Sequence, residues 1–507
     1  MSDSAPPLVR VHGASVSGAL DPAVLRALPP ADLARWLVSR RWFGAKGRPP
    51  AEARVSEVIP VHWDDDRAAV TRIVAAGGAG VDQSYQVPLV ARPGEPVDDR
   101  AAGAVLARIT APGGSGVLLD GLEDAAFRAR LGAALGEGAA FEGDGARWTV
   151  EPVGTPTRGL GALPSEVSRA EQSNSSVRFG DRAMLKLFRR LEQGENPDVE
   201  IGTFLTTRTT FQHTPAVLGV IHYRDSAGAR YVTGMLSRFV VGARDGWAIA
   251  LDEAWAALRG EAGPNPFLAE ADRIGRVTRD LHAALASAPD TPGFRSDPVT
   301  LGDAGQWEHA ARRALDDGLA LLGERAAALP AAHQAMARAI AGRRAAALAR
   351  LDDVAARVRS LLESPGAAAL RKTRHHGDYH LGQLLRGEHG VWFIVDFEGE
   401  PSRSLAERRA LSSPLRDVAG MVRSIAYAAA TAAAERGGLG VDPKTEIAAA
   451  HWERDVRAAF LRGYGVAADD PLVALFEIEK LFYELGYELN NRPEWVWIPL
   501  RGIARLF

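Results

Sequence analysis

The chain has 507 residues, 46% hydrophobic and 24% charged, with 60 lysines and arginines against 63 aspartates and glutamates, for a formal charge of −3. So even a balance gives no electrostatic footing for nucleic acid or an anionic membrane, and the absence of cysteine excludes disulfides, thiolate catalysis and cysteine-held zinc or iron–sulfur centres. Residues 1–20 lack a basic start followed by an apolar stretch, and no apolar run nears the roughly 20 residues that span a bilayer, so a cytoplasmic protein is expected.

At roughly 150 residues per domain the length suggests about three structural units. Asp32 to Arg40 has the pattern of a short amphipathic helix and leads into Arg41-Trp42-Phe43-Gly44-Ala45-Lys46-Gly47. Residues 51–110 alternate apolar segments, such as Ala68 to Ala75 and Tyr85 to Ala91, with Gly, Pro and Asp, which predicts a small antiparallel β unit. Gly113 to Gly116 reads as a connector, Leu118 to Leu135 as a helix pair, and Gly143 to Leu163 as short strands and turns. Val177 to Phe179 and Ala183 to Phe188 flank the turn Gly180-Asp181 and predict a hairpin. A helix is expected over Pro197 to Thr206, then strands over Val217 to Tyr223 and Tyr231 to Val241. Beyond Gly242 the alanine- and arginine-rich texture predicts helices, interrupted by a glycine-rich loop at Arg436 to Val441 and resuming over Asp455 to Leu489.

Chemistry concentrates in a few places. His376-Gly377-Asp378-Tyr379-His380-Leu381-Gly382-Gln383 sets a carboxylate and an amide oxygen on one loop, and Asp396 closes the apolar run Val391 to Val395. Phosphoryl transfer needs that combination: one oxygen to hold the attacking hydroxyl, and hard oxygen ligands for magnesium on ATP. Asp378 is the candidate base, Gln383 and Asp396 are candidate metal ligands, and Glu398 and Glu400 lie close enough to assist. Lys186 is a lone cation in an apolar strand, costly to bury unless paired or facing a ligand; Glu200 downstream is a candidate brace. Ser173, Asn174 and Ser175, within Gln172 to Ser176, can present backbone N–H groups to phosphate oxygens. On the last long helix Lys480, Tyr483 and Tyr487 share a face, a mix of ring and ammonium suited to a sugar. The bland readings are a polar turn, a solvated edge lysine and core aromatics. A cluster of His375, His376, Asp378 and His380 on a transition metal is a further alternative, but it leaves Lys186 and Asp396 unexplained.

Taken in order, Gln172 to Ser176, Leu185 to Leu191 with Asn196 to Glu200, His376 to Gln383, Asp396 to Pro401, Ser413 to Gly420, Tyr483 to Pro493 and Ile498 to Ile503 resemble the maltokinases, including those fused to trehalose synthase. The resemblance runs from about residue 165 to the C-terminus and is looser at the front, through Arg41-Trp42-Phe43. It implies an α+β, bilobal protein-kinase-like fold with a β-rich N-lobe, a mostly helical C-lobe and an extra N-terminal cap. The expected division is 1–115 for the cap, 116–241 for an intermediate segment and the N-lobe, and 242–507 for the C-lobe. It implies phosphorylation of the anomeric hydroxyl of maltose to maltose 1-phosphate, with ATP and Mg2+. Lys186 would hold the phosphates braced by Glu200, Asp378 would be the base, and Gln383 and Asp396 would take magnesium. Lys480, Tyr483, Tyr487 and Arg505 would meet maltose. Gln in place of Asn after the catalytic Asp, and Asp-Phe-Glu in place of Asp-Phe-Gly, set the chain apart from protein kinases and are usual in maltokinases. Any partnership with trehalose synthase is expected to be non-covalent. The rivals are a kinase of another sugar, notably glucosamine, and an inactive kinase-like partner of trehalose synthase.

Overall fold

Strand-forming runs dominate the first 240 residues and helix-forming ones the rest, and the chain divides in the same way. One unit is Met1–Thr207 with Pro215–Val241, and the other is Arg208–Thr214 with Gly242–Phe507. The computed structural model describes residues 6–11, 15–44, 49–63, 66–77, 82–96, 98–168, 173–260, 267–437 and 443–506.

The first unit holds two sheets. The front sheet has six strands in the order Leu8–Arg10, Val105–Ala111, Gly114–Asp120, Gln83–Pro93, Asp66–Ala75 and Ala53–Trp63, antiparallel apart from its first pair. The expected β unit is therefore present and larger than the sequence pattern suggested. Gly114–Asp120 overturns the reading of a connector followed by a helix pair. It is a strand paired on both sides, and only Ala125–Glu137 is α-helical in that stretch. Val117, Leu118 and Leu119 form a continuous buried run, a pattern that period alone cannot assign to strand or helix.

The second sheet has seven strands, in the order Ala139–Gly143, Ala146–Pro152, Val217–Arg224, Arg230–Arg238, Ala183–Leu187, Ser175–Phe179 and Ser165–Val167. The expected hairpin turns at Gly180, with φ of +52°, and pairs Ser175 with Leu187 and Ser176 with Lys186. Helix Pro197–Arg208 packs Val199 against Val217, Val220 and Val232.

A single core joins the two sheets: Ile59, Val61 and Val90 of the front sheet belong to the same cluster as Leu185, Ile221 and Leu236 of the second. The backbone joins them as well, since Gln86 N–H donates to Arg189 O (2.7 Å) and Leu191 N–H to Ser84 O (2.8 Å). Buried Arg189 donates to Asp120 Oδ2 (2.7 Å) and Ser175 Oγ (2.8 Å) and lies 4.9 Å over the Trp42 ring. Arg72 pairs with Asp225 at 3.0 Å, and Tyr223 Oη donates to Glu57.

The second unit is built on long helices. Phe267–Leu285 crosses Pro443–Tyr464, and Leu301–Arg325 packs on Pro471–Asn491. At the first crossing the backbones nearly touch: a Cβ on Gly463 would lie 2.0 Å from Asp272 O, so only glycine fits there. Helix Leu415–Gly437 contacts both Pro443–Tyr464 and Pro471–Asn491. The glycine-rich loop expected at 436–441 lies mostly outside the described residues, as do Gln172 and residues 45–48. No helix among the described residues is long and apolar enough to cross a membrane.

Candidate active site

In the first unit the pleat decides where Lys186 points. Leu185 and Leu187 enter the core, so Lys186 faces the other side. There its Nζ donates to Asp198 Oδ2 at 3.0 Å and lies 5.6 Å from the Phe188 ring centre. Asp198 is buried in the first turn of helix Pro197–Arg208, whose N-terminal N–H groups are capped by Asn196 Oδ1 (2.8 Å to Asp198 N). A carboxylate there is favoured by the helix dipole. Sequence reasoning picked Glu200, two residues along, and passed over Asp198, although both are acids in the same first turn. Ser173 is exposed and Asn174 half-buried, and both precede the strand, whereas Ser175 is its first residue and accepts from Arg189.

In the second unit the loop around Asp378 is held from beneath. Asp417, buried near the start of helix Leu415–Gly437, accepts the backbone N–H of His376 (2.7 Å) and of Gly377 (2.9 Å), and His282 Nε2 lies 3.0 Å from it. Burial opposes the Asp417 charge, but the His282 hydrogen bond and the neighbouring histidines overcome it and hold the carboxyl well below its ordinary range. His376 accepts the Asp378 N–H at Nδ1 (3.4 Å), which leaves Nε2–H to donate to Val395 O (3.0 Å). The histidine thus ties the loop to the strand ahead of Asp396. With both ring nitrogens engaged His376 has none for a metal, which removes it from the histidine cluster that the transition-metal reading needs. Gly377 has φ of +86°, and a Cβ there would sit 3.3 Å from Gly399 Cα.

Strands Leu384–Arg386 and Trp392–Ile394 pair in a register that sets Leu384 against Ile394. Continuing it by one residue joins Val395 N–H to Gln383 O (3.0 Å), and the Gln383 amide then donates to Asp396 Oδ2 (3.0 Å). Asp396 has φ of +69°, a left-handed conformation that a residue other than glycine adopts only under constraint. Asp396 and Glu398 offer carboxylate oxygens within 4.8 Å of each other. Two carboxylates and an amide are hard oxygen donors of the kind that suits a divalent cation such as magnesium.

Beside Asp378 opens a cavity of about 310 Å³, lined by Asp378, Glu400, Arg403, Glu479, Lys480 and Tyr483 among others. Its charges alternate in a ladder. Lys480 Nζ lies 3.5 Å from Asp378 Oδ1 and donates to Glu400; Arg403 holds the other Glu400 oxygen at 2.8 Å; Arg416 holds Glu479 at 2.9 Å. Burial would lower the Lys480 pKa, but Glu400 and Asp378 outweigh it and hold the ammonium well above its ordinary value. Burial likewise opposes the Glu400 charge, and Lys480 and Arg403 reverse that, keeping the carboxyl low. Glu400 was expected beside the metal; here its carboxylate is engaged by this lysine and arginine.

Of the expected sugar contacts, Lys480 and Tyr483 line the cavity, with Nζ 5.1 Å from the Tyr483 ring centre. Tyr487 is exposed, lies outside that lining and packs under Arg492. Arg505 pairs with Glu453 at 2.5 Å and lines a different cavity, of about 440 Å³. Asp417, Arg403 and Glu479 escaped sequence reasoning as site residues. Asp417 left one signal, an acid three residues after a proline at the start of an apolar helix.

The model of the maltokinase N-terminal cap domain matches residues 36–124. A glucosamine kinase from Streptacidiphilus jiangxiensis is 27% identical over 353 residues, covering 67% of this chain and 73% of the relative. Among solved structures, a glucosamine kinase superposes with a TM-score of 0.64 at 24% identity, over 96% of this chain and 98% of that one. A glucosamine kinase in complex with glucosamine, ADP and inorganic phosphate gives 0.62 at 23%, over 95% and 98%. The α+β, two-lobed architecture is thereby established along nearly the whole length. The chain thus carries a maltokinase-type cap domain ahead of a fold that it shares with solved glucosamine kinases.

Proposed function

We propose that the chain transfers the γ-phosphoryl group of ATP to a sugar, and that the sugar is maltose, giving maltose 1-phosphate. The observation that carries this is Asp378, held on a pinned loop at the edge of a cavity whose other walls supply Lys480, Glu400 and the Tyr483 ring. That surface offers a proton acceptor, fixed hydrogen-bonding groups and an aromatic face, which is what a pyranose requires.

In this reading Lys186 grips the nucleotide phosphates and Asp198 and Glu200 supply the carboxylates behind it. Ser173, Asn174 and Ser175 lie along the phosphates. Gln383, Asp396 and Glu398 would hold magnesium, which neutralises charge on the transferring group. Asp378 orients the anomeric hydroxyl and takes its proton as that oxygen bonds to the γ-phosphorus and the bond to ADP breaks. Lys480 and Tyr483 hold the sugar, with Tyr487 and Arg505 as outlying contacts. The cap is 1–115, the intermediate segment and N-lobe 116–241, and the C-lobe 242–507. A trehalose synthase is the proposed non-covalent partner, tested by co-elution of the two purified proteins.

The relatives named as glucosamine kinases support a second reading, with glucosamine as acceptor. ADP release measured side by side with maltose, glucose and glucosamine separates the two. Turnover highest with maltose supports the first; turnover highest with glucosamine replaces it. ATP consumption that no sugar accelerates would leave only an inactive kinase-like partner.

A further inference from the structure

We propose that Lys480 selects the acceptor by charge: its ammonium, lodged between Asp378 and Glu400, admits a neutral sugar and turns away one carrying a protonated amine next to the reacting hydroxyl. The inference rests on the assignment of Asp378 as the group that receives the acceptor's proton.

An amino sugar needs a carboxylate for its ammonium. Beside Asp378 the buried candidates already have a cation of the protein's own, while Glu407, the exposed acid of the same lining, is taken up by Ser404. Lys480 Nζ sits 3.5 Å from Asp378 Oδ1 and also donates to Glu400. The second Glu400 oxygen takes Arg403 Nε at 2.8 Å. Glu479, one residue before Lys480, takes Arg416 at 2.9 Å and lies 3.6 Å from Arg403. The Tyr483 ring centre lies 5.1 Å from Lys480 Nζ. None of these ion pairs involves an exposed acid: the side chains of Glu400 and Glu479 are 9% and 12% exposed.

The anomeric hydroxyl, placed at Asp378 as the proposed reaction requires, brings the neighbouring carbon-2 substituent within a few bond lengths of the same carboxylate, and so of Lys480. A neutral hydroxyl there can accept from the Lys480 ammonium or donate to Glu400. An ammonium cannot accept at all, and it can donate to Glu400 only by displacing Lys480 or standing against it; like charges at such range are disfavoured. The cavity therefore contains a repulsive element as well as attractive ones, as specificity between close analogues requires.

Glucose and glucosamine differ only at carbon 2, which makes them the test pair. Their kcat/KM values for ADP release are to be compared in the wild-type chain, Lys480→Met and Lys480→Arg, with maltose as reference. The wild type is expected to favour glucose by about 10-fold or more. Lys480→Met should slow both sugars yet bring the ratio toward one, and Lys480→Arg should restore the preference. A wild type that prefers glucosamine, or a ratio that Lys480→Met leaves unchanged, overturns the inference while leaving a sugar kinase in place. ATP turnover indifferent to every sugar overturns the functional reading instead. If Lys480→Met has no measurable turnover, titration calorimetry of the two sugars on wild type and variant reads the same ratio, and equal affinities in the wild type overturn the inference.

Discussion

Lys186 takes its direction from the pleat of a five-residue strand, whereas Asp378 takes its own from side chains reaching across from other elements. Two buried leucines on either side suffice to turn Lys186 away from the core, and one buried acid receives it. The Asp378 loop has one short 3-10 turn of its own, at Leu381–Gln383, and the part that carries Asp378 leans on its neighbours. Asp417 accepts two of its N–H groups and His376 ties it to the Asp396 strand. Support by a sheet is spread over many weak contacts. Support by a buried carboxylate rests on one group, and fails when that group does.

The comparison can be broken at single residues. Asp378→Asn should lower turnover by about 10²-fold or more with the thermal midpoint unchanged; near-normal turnover would show that another group takes the proton. Asp417→Ala strands two backbone donors and should cost about 2–4 kcal/mol of stability together with a clear loss of kcat, measured by denaturant unfolding and steady-state kinetics. A variant as stable as wild type would mean that the loop does not depend on that anchor. Lys186→Met should weaken ATP binding about 10-fold while sparing sugar affinity, because the charge-assisted contact to phosphate is lost; calorimetry with ATP and with maltose tests the split.

The two supports also differ in their response to acid. Asp417 has a folded pKa below its unfolded value of about 3.9, so its contribution is complete above that pH and is lost as pH falls below it. The wild-type thermal midpoint should drop more steeply below about pH 4 than that of Asp417→Asn; parallel curves would contradict this. The smallest effect is expected at Arg505. Its pair with Glu453 is half-exposed, so Arg505→Ala should shift stability by less than about 0.5 kcal/mol. A raised KM for maltose in that variant would bring Arg505 to the sugar, and an unchanged one would remove it.

What could be read in the sequence divides along the same line. The hairpin bearing Lys186 was legible because apolar alternation and the Gly180 turn are local signals. Asp396 was legible because it closes an apolar run and Gln383 because it shares the Asp378 loop, but the strand register that joins the two was not. The strand Gly114–Asp120 was not, since an unbroken buried run carries no period. Nor were Asp417 and Arg403, which act across 30 residues or more or through a ladder of ion pairs that only the folded chain assembles. Arg505 shows the converse: a matching motif placed it with Lys480, and the fold sets it on another cavity.

The Arg189 contacts bear on how the protein can be dissected. Three residues past Lys186, this guanidinium depends on Asp120 and Trp42, while Ser84 and Gln86 complete the backbone bonding of the segment around it. Cutting the chain after residue 120 would remove the front-sheet half of the core that holds Leu185 and Leu236 and all of these bonds at once. The front sheet is thus no detachable accessory. A shortened form should emerge insoluble or collapsed, and efforts to isolate a minimal catalytic fragment are better spent elsewhere on the chain.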